Sequence, residues 1–238
     1  MNAIEINNLS KKYNQRYAVQ ELNLSIRKGE VFGLLGVNGA GKTTTIRMLA
    51  CLIKPTSGDA TVMGKSILTD PQRVKEVINL SPQETAIAPN LTVAENLSLM
   101  AEIYGHDRQE SVVKSAGMIE TLGLGEVAKQ KAKTLSGGWQ RRLNVAMALI
   151  TAPQVLYLDE PTLGLDVLAR RELWGIIEQM RGRVTIILTT HYLEEAQALS
   201  DRIGILTRGR LKALGTAAEL MAAAKAANLE DAFVALAV

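Results

Sequence analysis

The beginning of the chain changes from strand-like alternation to a helical pattern. Apolar residues occupy alternate positions in two stretches, Ile4 and Ile6 and then Leu22, Leu24 and Ile26. This is the period of half-buried strands, so it predicts an antiparallel edge. The apolar run at 31–35 then leads into a glycine-rich stretch, after which residues 42–52 carry apolar side chains at helical spacing. The pattern predicts a strand, a glycine loop and a helix.

Later apolar runs alternate with helical stretches. Buried strands are predicted at 77–80, 155–158, 184–188 and 203–206. The intervening stretches are long enough to be parallel crossovers, so a mostly parallel sheet follows. Strand signals disappear between residues 83 and 152, where Thr92 and Glu95 form a capping box before a helical pattern. This part of the chain is predicted to be a helical lobe inserted into the sheet domain.

We therefore expect an α/β fold with a mostly parallel sheet, an antiparallel N-terminal β subdomain and an inserted helical lobe. The predicted organisation is one unit over residues 1–238. Its core spans about 1–83 and 153–215, its helical lobe about 84–152, and its alanine-rich helical tail 216–238.

Composition narrows the class of protein without naming a partner. The chain has 238 residues, of which 47% are hydrophobic and 21% are charged, with a net charge of +3 and one cysteine, Cys51. This balance fits a globular domain with a sizeable core and lacks a polybasic nucleic-acid surface. A single cysteine excludes an intrachain disulfide and favours a reducing compartment. Neither a secretory signal nor a membrane span is predicted.

The stretch between the predicted strand and helix matches the phosphate-loop pattern. Its expected nucleotide contacts are Gly36, Asn38, Gly39, Ala40, Gly41, Lys42, Thr43 and Thr44. Glycines let successive backbone N–H groups point inward at phosphate oxygens, and the following helix adds its positive end. Lys42 would reach the β- and γ-phosphates, and Thr43 would offer its hydroxyl to Mg²⁺.

Two acidic residues follow the predicted strand at 155–158. Asp159 and Glu160 end this strand and should lie at the carboxyl edge of the sheet, beside the phosphate loop. Asp159 would hold Mg²⁺, and Glu160 would polarise the water that attacks the γ-phosphate.

A third motif points to one particular family of nucleotide-binding proteins. Residues 135–143 read LSGGWQRRL and open a helix, with Ser136 as the expected N-cap. Beside the other two motifs, this segment resembles the signature of the ATP-binding-cassette family. The motifs occur in the family's order over about residues 2–215. Trp139 and Val167 depart from it, because glutamine and proline are common at those positions.

The resemblance implies a P-loop NTPase (RecA-like) fold and further site residues. Tyr13 matches the adenine-stacking aromatic, and Gln83 matches the glutamine that senses Mg²⁺ and water. His191 matches the histidine that contacts the γ-phosphate. Asp166 lies in the loop that joins two ATP sites. Ser136, Gly137 and Gly138 would face the nucleotide of a second subunit.

The implied function is an ATPase subunit, with ATP and Mg²⁺ as cofactors, that powers a membrane transporter. Its partners would be a separate transmembrane permease subunit and a second nucleotide-binding subunit, with a homodimer sufficient. No nucleic acid is expected. The chain would lie peripherally at the cytoplasmic face of the plasma membrane. Segments 90–97, 135–143 and 229–233 resemble the exporter branch. The family's docking lobe falls at 84–104. Ile87, Leu91 and Leu97 are its apolar candidates, and each of them could instead pack inside the lobe.

Two other functions are compatible with the motifs. One is a soluble nucleotide-gated clamp on nucleic acid or ribosomes, although such relatives usually carry two cassettes or a coiled-coil insertion. The other is an inactive binding module, which the retained Lys42, Asp159, Glu160 and His191 argue against.

Overall fold

Two sheets and three groups of helices make up the fold. The computed structural model describes residues 1–237. The strands are β1 Asn2–Tyr13, β2 Arg16–Arg27, β3 Val31–Leu35, β4 Ser57–Val62, β5 Lys65–Ser66, β6 Ile78–Ser81, β7 Val155–Asp159, β8 Thr185–Thr190, β9 Arg202–Thr207 and β10 Arg210–Gly215. The helices are α1 Lys42–Leu49, α2 Pro71–Lys75, α3 Val93–Ile103, α4 Arg108–Thr121, α5 Gly137–Leu149, α6 Val167–Met180, α7 Leu193–Leu199, α8 Ala217–Ala224 and α9 Leu229–Leu236.

The smaller sheet is antiparallel and contains the predicted N-terminal edge. Its strand order is β2-β1-β4-β5. Ile4 pairs with Ile26 and Ile6 pairs with Leu24, so the alternating apolar residues lie on the same buried face.

The larger sheet has the order β10-β9-β3-β8-β7-β6 and is parallel except for its edge pair β9–β10. Alternate residues of a strand face opposite sides, and both sides are covered here. Tyr157 packs into the cluster shared with the antiparallel sheet, whereas Leu156 and Leu158 pack into the cluster shared with the helical lobe. This two-sided burial explains why these strands are continuous apolar runs in the sequence.

Helices α3, α4 and α5 form the helical lobe between β6 and β7. Thr92 caps α3 with the predicted capping box, because its hydroxyl accepts from Glu95 N while Glu95 accepts from Thr92 N. Leu97 is fully buried in the lobe. Of the two alternatives for Leu97, packing inside the lobe is therefore correct and docking is excluded, since a buried side chain cannot contact a partner. Ile87 packs partly buried against the same cluster.

The last two helices cover the far end of the parallel sheet. Leu220 of α8 and Leu229 of α9 are buried against Ile203 and Ile205 of β9. Among the described residues, no helix combines the length and the apolar character needed to cross a membrane.

Candidate functional site

Three adjacent strand ends meet at the candidate site. Strand β8 lies between β3 and β7, and all three run parallel. The phosphate loop follows β3, Glu160 follows β7 and His191 follows β8. The phosphate loop, Glu160 and the end of β1 line a cavity of about 480 Å³, and His191 contacts Glu160. Its lining residues include Tyr13, Ala18, Asn38, Gly39, Ala40, Gly41, Lys42, Thr43, Thr44, Gln83 and Glu160.

The loop can take its shape only because of its glycines. Gly41 has a φ of +109°, and a Cβ atom there would lie 2.3 Å from the carbonyl oxygen of Ala18. Any other residue would be both strained and in collision with the antiparallel sheet. Gly36 does not line the cavity, and its carbonyl oxygen accepts a 2.7 Å hydrogen bond from Lys42 Nζ.

Lys42 and Glu160 form a buried ion pair at the floor of the cavity. Lys42 Nζ is 3.1 Å from Glu160 Oε1 and also donates to the carbonyl oxygens of Gly36 and Val37. Glu160 Oε2 lies 2.6 Å from His191 Nδ1. The glutamate therefore joins the cation that follows β3 to the imidazole that follows β8, and all its carboxylate contacts are made inside the site.

Glu160 is also held in an unusual backbone conformation. Its φ of +51° is in the left-handed region, which is costly for a residue other than glycine. Two hydrogen bonds hold its backbone N–H, one to the hydroxyl of Thr189 at 3.0 Å and one to the carbonyl oxygen of Thr189 at 3.1 Å. This strained turn aims the carboxylate at Lys42.

Asp159 and Thr43 present oxygen atoms side by side. Thr43 Oγ1 is 3.1 Å from Asp159 Oδ1, and the hydroxyl of Thr189 donates to the same oxygen at 2.6 Å. A carboxylate and a hydroxyl are ligands suited to Mg²⁺, which keeps several water and phosphate ligands and needs few from protein. The residues thus fit the ion, although residues 1–237 contain no preformed cluster of three acidic, histidine or cysteine ligands.

Tyr13 and Gln83 stand at the rim of the cavity. Tyr13 is 49% exposed, and Lys11 Nζ lies 5.3 Å from its ring centroid. Gln83 is exposed and borders both this cavity and a neighbouring groove that also touches Thr43 and Asp159.

Seven predicted site residues do not line this cavity: Gly36, Ser136, Gly137, Gly138, Asp159, Asp166 and His191. Ser136 occupies the predicted N-cap position of α5, and its side chain makes no capping hydrogen bond there. Ser136 and Gly137 are exposed. Asp166 caps α6 by accepting from Leu168 N and Ala169 N.

The sequence did not single out Ala18 or Thr189 as site residues. Ala18 has no chemistry of its own and contributes only its backbone beside Gly41. Thr189 directly follows the apolar run of β8, two residues before His191, and this position was the only signal.

Glu195 is a further buried acid beside the site. It lies on α7, is fully buried, and accepts a 3.2 Å hydrogen bond from Trp174 Nε1 of α6. Burial raises the pKa of the Glu195 carboxyl, partly offset by the Thr190 and Thr162 hydroxyls and by Trp174. The nearby charge of Glu160 raises the pKa further. Glu195 Oε2 makes no hydrogen bond of regular geometry within the described chain.

The comparisons with known proteins agree with this geometry. The family model for ABC transporters matches residues 19–163. The daunorubicin/doxorubicin resistance ATP-binding protein DrrA of Streptomyces peucetius is 42% identical over 92% of this chain, which spans 66% of DrrA. The linearmycin resistance ATP-binding protein LnrL of Bacillus subtilis is 41% identical over 91% of this chain, which spans 70% of LnrL. Human phospholipid-transporting ATPase ABCA3 is 41% identical over 90% of this chain, which spans 13% of that protein.

Solved structures show the same fold. The ATP-binding subunit of an ABC transporter superposes with a TM-score of 0.87 at 27% identity, covering 98% of this chain and 99% of that one. The cassette MJ0796, a dimer in a post-hydrolysis state bound to ADP and Pi, has a TM-score of 0.80 at 25% identity. The superposition covers 90% of this chain and 98% of that one.

The chain belongs to the ABC transporter family. Two of the relatives are named as resistance ATP-binding proteins and a third as an ATPase, so the chain is an ATP-binding cassette of this family. The predicted family, fold class and ATPase class are confirmed.

The raised pKa of Glu195 predicts a pH-dependent stability effect. The folded state binds the proton more tightly than an unfolded glutamate, whose pKa is about 4.3. The stability that this carboxyl contributes therefore falls as the pH rises from about 4.3 through the raised folded value. Glu195→Gln removes the titration, so the variant should gain stability relative to the parent as the pH rises. Urea unfolding at acidic, neutral and alkaline pH measures the difference.

Glu194→Gln, one residue earlier and exposed, is the matched control. A pH dependence of equal size in both variants would contradict the assignment to Glu195.

Proposed function

We propose that this chain is the ATP-hydrolysing subunit of an exporter and that two copies enclose ATP between them. The observation that carries the proposal is the cavity in which the phosphate loop, Glu160 and Gln83 converge, with His191 against Glu160. The resistance proteins among its relatives and the dimeric solved cassette support it.

The residues divide into those that bind and those that act on water. Lys42 and the backbone of the phosphate loop would bind the phosphates, because they supply a cation and inward N–H groups. Thr43, Asp159 and Gln83 would hold Mg²⁺, which supplies charge neutralisation at the phosphates when bound. Tyr13 would stack on the adenine at the rim.

Glu160 would accept the proton of the attacking water, and His191 would orient it. The 2.6 Å contact between Glu160 and His191 fixes one carboxylate oxygen. The other oxygen is paired with Lys42, so phosphate binding to Lys42 would free it for water. Phosphate binding and the activation of Glu160 as general base would thus be linked through Lys42.

The signature segment 136–138 would complete a site in the other copy. Ser136 and Gly137 are exposed and lie outside the cavity of their own subunit. Asp166, which also lies outside, is flanked by the exposed apolar residues Val167 and Leu168. The N-terminal end of α5 is not capped by the Ser136 side chain, and Val167 and Leu168 are exposed apolar residues. Both features suit contact with a second copy.

We also propose the core, lobe and tail division set out from the sequence. The order of the elements supports it, because α3, α4 and α5 lie between β6 and β7, and α8 and α9 follow β10.

A separate permease subunit would dock at the groove next to Gln83. This groove has a volume of about 450 Å³ and is bordered by Arg47, Leu52, Leu80, Pro82 and Ala86, among others. Leu52 is 58% exposed there, which suits an apolar helix end from a membrane protein. The chain would then lie peripherally at the cytoplasmic face of the plasma membrane.

Glu160→Gln tests the proposed chemistry. Glutamine keeps the shape but cannot take a proton, so ATP hydrolysis should fall by about 10² to 10⁴ fold. ATP binding should persist, because Lys42 and the loop are unchanged. Single-turnover hydrolysis and nucleotide titration measure the two effects, with exposed Glu120→Gln as control. A rate within about twofold of the parent would contradict the role.

Mixing two inactive variants tests the composite site. Ser136→Arg adds bulk and charge at an exposed position, so monomer binding of ATP should survive while paired closure fails. Lys42→Ala removes the phosphate cation. In a heterodimer, one site carries both defects and the other carries neither. Equal mixing should therefore restore about a quarter of the parent hydrolysis if the intact site works alone. No recovery would exclude the assignment in trans.

Leu52→Glu tests docking at the groove. A carboxylate should weaken contact with an apolar helix end, so less of the protein should co-sediment with membranes from the native host. ATP binding by the purified chain should be unchanged. Leu68→Glu, at a position 43% exposed and outside the groove, is the control. Equal sedimentation of both variants and the parent would count against this surface.

A further inference from the structure

Arg141 is a buried cation whose hydrogen bonds go to backbone carbonyls. It lies in the second turn of α5 and is 6% exposed. Its Nη1 donates to Pro82 O at 2.9 Å and its Nη2 donates to Gln83 O at 2.8 Å. No carboxylate lies within ion-pair distance of it in residues 1–237. Because burying an unpaired charge is costly, such an arginine calls for a specific reason.

Burial and nearby acidic groups have opposite effects on the pKa of Arg141. Burial lowers the pKa of its guanidinium, while the charges of Asp159 and Glu195 act to raise it. Its positive charge therefore lies in the field of the candidate site's acids, although it touches neither of them directly.

Asn144 fixes the same segment one helical turn further along α5. Its Nδ2 donates to Ser81 Oγ at 2.8 Å and to Pro82 O at 3.3 Å, and its Oδ1 accepts from Ala86 N at 3.2 Å. Residues three apart share a helix face. The face of α5 that carries Arg141 and Asn144 therefore holds the backbone on both sides of Gln83.

Gln83 depends on this support because the sheet does not reach it. Strand β6 ends at Ser81, and the next helix begins only at Val93. A loop residue without ladder hydrogen bonds is free to move unless other groups hold it. Here α5 supplies those groups, and α5 begins directly after Ser136.

We propose that Arg141 is a positioning residue that sets the place of Gln83 in the nucleotide cavity and ties it to segment 136–138 on the same helix. The inference rests on the proposed role of Gln83. A guanidinium suits this task because its rigid fork donates to two neighbouring carbonyls at once, whereas an ammonium is a point charge on a flexible stem. A movement of α5 would carry Gln83 with it.

Arg141→Lys is the test variant, because it keeps the charge and loses the fork. We expect kcat for ATP hydrolysis to fall by about 10-fold to 10²-fold, in line with misplacement of a catalytic group. KM for ATP should stay within about twofold, since the phosphate loop is untouched. Arg142→Lys is the matched control: it lies next along α5, pairs with Glu172 and stacks on Trp139. Its kcat should remain near the parent's.

A double-mutant cycle with Gln83→Ala separates positioning from general stability. If Arg141 acts through Gln83, Arg141→Lys should cause no further loss of kcat once the Gln83 side chain is gone. Rates are normalised to the folded fraction from thermal unfolding. Multiplied losses in the double variant would overturn the inference. If Arg141→Lys does not fold, Arg141→Gln, which keeps amide donors, replaces it in the same cycle.

The cycle also distinguishes this inference from the proposed function. If Gln83→Ala lowers kcat but folded Arg141→Lys does not, the inference fails and the role of Gln83 stands. If Gln83→Ala alone leaves kcat unchanged, the role of Gln83 fails, and the inference fails with it.

Discussion

The buried ion pair between Lys42 and Glu160 is the interaction on which the rest of the site depends. Its two charges follow different strands, β3 and β7, and meet only because β8 lies between those strands in a parallel sheet. Removing one partner would leave the other charge buried and uncompensated. His191, which follows β8, closes the arrangement from the middle strand. The sheet order thus brings one cation, one acid and one imidazole to one edge.

The helical lobe holds the loop that carries Gln83, which the sheet does not reach. Helix α5 begins beside the exposed signature segment and ends in the lobe's hydrophobic cluster. Between these points its buried face hydrogen bonds to the loop that carries Gln83. One rigid helix therefore contacts the nucleotide cavity's rim and also presents a surface directed away from that cavity. Such an element can transmit a displacement because a packed helix moves as a body.

Departures from the family pattern lie away from the nucleotide cavity. Trp139 is half-buried against the lobe's cluster, and Arg142 lies over its ring at 4.4 Å. Arg142 in turn pairs with Glu172 of α6. Trp139 thus helps to join α5 to α6 and does not border the cavity around Lys42. Val167 is exposed just after Asp166, whose capping of α6 does not require proline.

The sequence by itself determined the elements and their chemistry. Alternating apolar residues gave the antiparallel pairs, continuous apolar runs gave the buried parallel strands, and the capping box at Thr92 and Glu95 marked the start of α3. These signals are local, since they depend on periodicity and on turn geometry. The phosphate loop is likewise encoded locally by its glycines.

Only the tertiary structure decided which distant groups touch. The contacts of Arg141 with Pro82 and Gln83 span 59 and 58 residues, and nothing in the local pattern distinguishes Arg141 from its neighbour Arg142. Leu97 has a helical pattern that fits either a core or a docking face, and packing of the lobe assigned it to the core. Glu195 looks like any acid of an amphipathic helix until burial beside Trp174 raises its pKa. Each of these outcomes follows from burial and long-range packing, which single-residue chemistry and short-range periodicity do not specify.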